Sequence, residues 1–346
     1  MDFRPGALGH RTGTHSVSVR DKPAIPPKVA KPVAPRPAAP RSLCSEWSDP
    51  LFVRGCRLPI HELVFRGKRL TSDHALVMAI VNRTPDSFYD NGVTYLEERA
   101  QAAIGQAIED GAAVIDIGGV PASPGPEVTV AEEIARVVPT VEWAREHFPD
   151  VVISVDTYRA EVADAVCRAG ADLINDNWAA YEPEILDVAA EHGAGYICAH
   201  VDGLDPRTDP VKPQYDDVVA AVVKDTTELA ERAVAKGVPR EGVMIDPCID
   251  FSKNTYQSLE ILRNVDKLVA TGWPVLMALS NKGVVGETLD VAMGDRVTGT
   301  LAATAHAAAQ GAAMFRAHQV RETRHVTEMI ASIVGTRPPK NAVRWL

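Results

Sequence analysis

What the chain lacks narrows its function first. Among its 346 residues no apolar run approaches the roughly 18–20 that a membrane helix needs, so no membrane association is expected. No secretory leader is visible at the N-terminus, and none is expected. Positive charge is in deficit: 36 Lys and Arg against 46 Asp and Glu give a formal net charge of −10. A nucleic-acid-binding body would show a basic face instead, so none is expected here. Cysteine is scarce, odd in number and without a CxxC pair (Cys44, Cys56, Cys167, Cys198, Cys248). That pattern fits free thiols in a reducing cytoplasm rather than a disulfide framework. No GxGxxG turn follows the first long apolar run, which argues against a dinucleotide-binding open sheet.

What is present divides into two kinds of polymer. Residues 1–42 include "KPAIPPKVAKPVAPRPAAPR", rich in Pro and Ala and poor in large apolar side chains, so a disordered tail with polyproline II character is expected. Arg4, Arg11, Arg20, Lys22, Lys28, Lys31, Arg36 and Arg41 face only Asp2 and Asp21 there. Such an arm suits a solvated tail. Contact with nucleic acid, an acidic partner or a proline-reading domain is the alternative. The prolines forbid the amphipathic helix of an organelle transit peptide. Residues 43–73 read as a lead-in, and 74–346 as one large domain.

Within that domain, short apolar runs alternate with helical patterns. The runs are LVMAIV (76–81), AVIDIGG (113–119), VVISVD (151–156), DLIND (172–176), GYICAH (195–200), GVMID (242–246), PVLMALS (274–280) and MFRAH (314–318). Amphipathic stretches such as "LEERAQAAIGQAIEDG" and "YDDVVAAVVKDTTELAERAVAKG" lie between them. Parallel strands buried on both faces read as continuous apolar runs. Eight strand–helix units predict an α/β fold, a (β/α)8 TIM barrel.

Function in that fold sits at the C-terminal strand ends. Here the ends carry Asn82, Asp116, Asp156, Asn175–Asp176, His200, Asp246, Ser280 to Lys282, and Arg316 with His318. Capping of the following helix accounts for one Asp or Asn, and Asp116 and Asp176 are the best candidates for that role. It does not account for a lysine, an arginine and a histidine. Asp156, Asn175 and Asp246 suit a flat heterocycle rich in N–H donors. Arg316 and His318 alternate around Ala317 and so share one side of their strand, with Asn82 on the neighbouring strand once the barrel closes. Together they suggest an anion cradle, Arg316 reading phosphate and the Asn82 oxygen ligating Mg²⁺. A rim ion pair for Arg316 and a core role for His318 are the plainer alternatives.

From about 74 to 335 the chain resembles dihydropteroate synthase. "IVNRTPDSFYDNG", "VIDIGG", "ISVDT", "LIND", "DPCIDFSKN", "ALSNKGVVG" and "FRAHQVRET" match that family's strand-end motifs in order. The resemblance implies condensation of 6-hydroxymethyl-dihydropterin diphosphate with p-aminobenzoate in folate biosynthesis, with Mg²⁺ assisting diphosphate departure. It assigns Asp156, Asn175, Asp246 and Lys282 to the pterin, and Asn82, Arg316 and His318 to the diphosphate, with Asn82 at the metal. Phe88 and Asp90 would cover the cationic intermediate, and with Lys282 form the catalytic set. A homodimer in the cytoplasm is also implied.

Departures from the pattern cluster. After "GG" the family carries Glu-Ser-Thr-Arg-Pro-Gly; Val120 to Gly125 here read VPASPG. After the seventh strand Ser-Arg-Lys-Ser/Thr becomes Ser280-Asn281-Lys282-Gly283. Two glycines of the sixth motif are Cys248 and Asp250, where a side chain would intrude and Asp250 would repel an anion. Loss of one such arginine costs a hundredfold or more in rate, roughly a few kcal/mol. The expectation is a divergent second paralogue that holds the pterin diphosphate, with condensation weak or lost and sulfonamides poorly bound. An active synthase with Arg83 or Lys253 standing in for the lost groups is the alternative. A non-catalytic partner protein acting through its tail is the second. Cys248 has no general base near it in sequence and reads as a substituted glycine, not a nucleophile.

Overall fold

The computed structural model describes residues 62–84, 96–208 and 214–344. The basic tail, Phe88 and Asp90 lie outside the described residues. The first element is a hairpin absent from the sequence expectation, β1 (Leu63–Phe65) paired antiparallel with β2 (Lys68–Leu70). Its Arg66-Gly67 turn has φ of 47° and 82°, the primed geometry that matches strand twist.

All eight expected strands follow: β3 (Leu76–Asn82), β4 (Val114–Gly118), β5 (Val152–Asp156), β6 (Leu173–Asp176), β7 (Gly195–Ala199), β8 (Val243–Asp246), β9 (Leu276–Ala278) and β10 (Met314–Ala317). They form one parallel sheet in the order β8-β7-β6-β5-β4-β3-β10-β9, and a bridge between Ile245 and Val275 closes it. The helices between them are α1 (Glu97–Glu109), α2 (Val130–His147), α3 (Ala160–Ala169), α4 (Glu184–His192), α5 (Val218–Lys236), α6 (Thr255–Arg263), α7 (Val265–Val269), α8 (Gly283–Leu289), α9 (Val297–Ala309) and α10 (Val320–Val334). Among the described residues no helix is long and apolar enough to cross a membrane.

The barrel interior follows the two-residue period of a strand. Its lower layer is apolar: Met78, Val114, Val152, Leu173, Ile197, Met244, Leu276 and Met314 cluster with Leu63 and Phe65 of the hairpin. Phe65 plugs the bottom against β7, where Gly195 leaves it room; a Cβ there would lie 2.4 Å from the ring. The plug is anchored by Arg66, which donates to the Cys167 and Ala171 carbonyls at 2.8 and 2.7 Å. Lys68 adds an ion pair to Asp172 at 2.8 Å. Two residues further along, the same inward column turns polar on five of the eight strands, giving Asp116, Ser154, Asn175, Asp246 and Arg316, and stays apolar on the others with Ile80, Ala199 and Ala278. An apolar floor thus carries a polar ceiling at the C-terminal strand ends.

Candidate functional site

The polar layer is one hydrogen-bonded unit centred on Asp116. This carboxylate is fully buried and accepts from Ser154 Oγ at 2.6 Å, Asn175 Nδ2 at 3.1 Å and Arg316 Nε at 2.6 Å. Arg316 also donates from Nη2 to Asp156 at 3.0 Å, and Asn177 Nδ2 donates to the same oxygen at 2.9 Å. Burial, reinforced by the charge of Asp116 and opposed by that of Arg316, pushes the Asp156 carboxyl up to about 7. Asp246 is held by the Cys248 N–H at 2.7 Å, and burial raises its pKa against the pull of Lys282. Asn175 Oδ1 is buried and has no partner among the described residues, the condition of a group waiting for a donor.

Above this layer opens a cavity of about 450 Å³. Of the sequence-predicted residues Asn82, Asp156, Lys282, Arg316 and His318 line it, while Asn175 and Asp246 are buried below. His318 Nδ1 lies 3.0 Å from Ser280 Oγ, and burial beside Arg316 lowers its pKa to about 3, so it stands as a neutral imidazole. The cradle expected from Arg316 and His318 is therefore less cationic than its residue types imply. One member is neutral and the other is paired with two carboxylates.

Two strand-end assignments need correction. Asp116 caps no helix; it organises the polar layer. Its inward parity with Ser154 and Asn175 was the available signal. Asp176 caps no helix either: it accepts from the Trp178 and Ala180 N–H groups of the following turn at 2.7 Å and from Tyr196 Oη, while α4 starts only at Glu184. It lies on the outward column, as does His200, whose ring packs near Tyr215 and sits 3.3 Å from Asp225. Burial, with Lys253 nearby, lowers the His200 pKa to about 4.

The cations proposed to replace the lost arginines are committed elsewhere. Arg83 is buried, pairs with Glu97 at 2.6 Å and donates to the Arg136 carbonyl at 3.2 Å. Lys253 donates to the carbonyls of His200, Cys248 and Phe251 at 3.0, 3.3 and 2.7 Å. Desolvation there lowers its pKa to about 8. Neither lines the cavity.

Lys253 instead supports a strained loop. Cys248, Asp250 and Ser252 have φ of 51°, 71° and 55°, so the backbone keeps a glycine conformation without glycine. Each such residue costs about 1 kcal/mol or more. Cys248 is buried with Trp178, Ala199 and Val201, and burial, then the Asp246 charge, pushes its thiol up to about 12. It is no nucleophile. The outer wall is largely apolar: Val120, Pro121, Ala122 and Pro124 face Trp178, Leu204 and Phe251. Trp178 and Phe251 meet edge to face, centroids 5.9 Å apart. At the rim Arg207 Nε donates to the Ser123 carbonyl at 3.3 Å.

Similarity to known proteins agrees with this architecture. Residues 78–318 match the family model of pterin binding enzymes. The chain is 58% identical over 284 residues to inactive dihydropteroate synthase 2 of Mycobacterium tuberculosis, covering 81% of this chain and 89% of that protein. Against the dihydropteroate synthase of Escherichia coli it is 35% identical over 280 residues, covering 81% and 99%. A Yersinia pestis dihydropteroate synthase solved with a sulfonamide drug superposes with a TM-score of 0.75 at 35% identity, covering 80% of this chain and all of that one. A closed barrel, an inward polar layer and matched strand-end motifs leave one assignment: the chain belongs to the dihydropteroate synthase family of pterin binding enzymes.

Proposed function

We propose that this protein binds 6-hydroxymethyl-dihydropterin diphosphate and condenses it with p-aminobenzoate weakly or not at all. The observation that carries this reading is the state of the cations. Arg83 and Lys253 are consumed by internal partners, and the loop of Val120 to Gly125 offers none. Greater identity to the Mycobacterium tuberculosis protein called inactive than to the Escherichia coli synthase supports it. The active-synthase alternative lacks this support.

In this reading Asp156, Asn175, Asp246 and Lys282 receive the pterin, and Asn82, Arg316 and His318 receive the diphosphate. Arg316 turns from its two carboxylates towards the diphosphate, which frees acceptors for the pterin N–H groups. Asp116 acts through others, as a positioning residue for Arg316 and Asn175. His318, being neutral, donates or accepts one hydrogen bond and adds no charge. Among the described residues no three His, Cys, Asp or Glu side chains gather to hold a metal alone. Asn82 on the cavity wall still offers the single hard oxygen that Mg²⁺ accepts beside phosphate ligands. When bound, that ion withdraws charge from the leaving diphosphate. Phe88 and Asp90 remain assigned to covering the departing bond. A homodimer in the cytoplasm belongs to the same proposal.

Complementation tests the reading. In a strain deleted for its only dihydropteroate synthase, expressed and folded protein should fail to restore growth without folate end products. Full rescue would reverse the conclusion in favour of an active enzyme.

A further inference from the structure

The outer half of the cavity has gained a carboxylate at one position and lost a side chain at another, and the two changes touch. Asp250 lines the cavity, and its oxygens accept from the Val284 N–H at 3.2 and 3.1 Å. Ser258 braces it from behind, donating to Oδ1 at 3.4 Å and accepting the Asp250 N–H at 3.3 Å. Across from it is Gly283. A Cβ at that position would stand 3.1 Å from Asp250 Oδ2, tighter than an ordinary contact. A side chain at 283 would therefore push the carboxylate at 250 aside by a few tenths of an ångström.

Among the described residues no cationic side chain forms an ion pair with this carboxylate, whose partners are the Val284 N–H and the Ser258 hydroxyl. Lys282 donates to the Ile249 carbonyl and lies 4.9 Å over the Phe251 ring. Lys253 is buried among carbonyls, Arg207 sits at the rim on the Ser123 carbonyl, and Arg316 is held by Asp116 and Asp156. If the pterin takes the polar inner half, any second reactant must occupy the space walled by Val120, Pro121, Trp178, Phe251 and Asp250. That space presents mainly apolar surface and the Asp250 carboxylate, and its nearby cation, Lys282, is held by the Ile249 carbonyl over the Phe251 ring. An anionic ring placed there would lose hydration and meet like charge.

We propose that Asp250 and Gly283 form a specificity element that rejects carboxylate-bearing acceptors and admits flat, neutral or cationic aromatic groups. This rests on the pterin reading above and names the class of ligand that its second subsite takes.

The test titrates p-aminobenzoate and its neutral amide, p-aminobenzamide, into the protein with and without pterin diphosphate and Mg²⁺. In the loaded wild-type protein the amide should bind at least tenfold more tightly than the anion. Asp250→Asn keeps a side chain of the same size, and Asp250→Gly suits a φ of 71°; both should narrow that ratio to within about threefold. Gly283→Ser should weaken the amide in the wild-type background and be tolerated beside Asp250→Gly, the non-additivity expected of residues in contact. Equal affinities in the wild type, a preference for the anion, an unchanged ratio in both Asp250 variants, or binding of neither ring would overturn the proposal. Failure of the pterin diphosphate to bind at all is a separate result, visible in the loading step, and it removes the functional reading itself.

Discussion

The inner and outer halves of one cavity differ in how their polar groups are used. In the inner half the charges around Asp116 interlock: Asp116 joins Ser154, Asn175 and Arg316, and Arg316 continues to Asp156. In the outer half the wall is apolar, the nearby cations face inward to carbonyls, and the added Asp250 is satisfied by backbone. A buried polar group without a partner is costly, so the inner network with its one open acceptor, Asn175 Oδ1, is the side of the cavity built to receive a polar ligand. The outer half keeps a strained backbone under side chains other than glycine, at Cys248, Asp250 and Ser252.

The sharpest way to break this contrast is through Asp116. Asp116→Ala strips Arg316 of one of two buried partners, and unfolding free energy in urea should fall by about 3–5 kcal/mol. Asp250→Gly should change it by less than about 1 kcal/mol, since relief of positive φ offsets the lost hydrogen bonds. Near-equal losses in the two variants would erase the distinction between the halves. A second effect lies in affinity. Asp246→Asn removes a charged acceptor, so calorimetry should show pterin diphosphate binding about a hundredfold weaker, the scale of one charge-assisted hydrogen bond. Trp178→Ala in the outer half should leave that affinity within about threefold.

A smaller effect follows from pH. The Asp156 carboxyl is raised to about 7, so its acceptor form is present above that value and lost below it. Pterin diphosphate affinity should weaken up to about tenfold per unit as pH falls below 7. The same raised pKa means the folded state holds a proton that the unfolded chain has released. This stability contribution is full below the ordinary carboxylate range and is lost as pH rises through about 7. Asp156→Asn should flatten both dependences, and a profile unchanged by that substitution would assign the titration elsewhere. The smallest effect belongs to the rim. Arg207→Ala should cost under about 1 kcal/mol of stability, being a partly exposed contact to one carbonyl.

Much of this was legible in the sequence, for identifiable reasons. Eight buried strands appeared as eight continuous apolar runs because both sheet faces are covered, by helices outside and by Met78, Leu173 and Ile197 within. The β1–β2 hairpin was not legible, because strands of three residues leave no periodic pattern, and Phe65 gains its meaning only from distant Gly195. At the site, the inward residues followed from strand ends, but the outward ones were included with them. Asp176 and His200 sit one residue past Asn175 and Ala199, and parity alone turns them away. Asp116 was undervalued because a lone Asp near a helix reads as a cap. The coupling of Asp250 with Gly283 spans 33 positions and two loops, beyond any local pattern.

The most direct measurement separates binding from turnover in one sample. Pterin diphosphate with Mg²⁺ is titrated into the full-length protein by calorimetry, p-aminobenzoate is then added, and dihydropteroate formation is followed. The account predicts saturable pterin diphosphate binding with product formed at less than about a hundredth of the rate of an ordinary synthase, the scale set by one lost transition-state arginine. Product formation at an ordinary synthase's rate would contradict it.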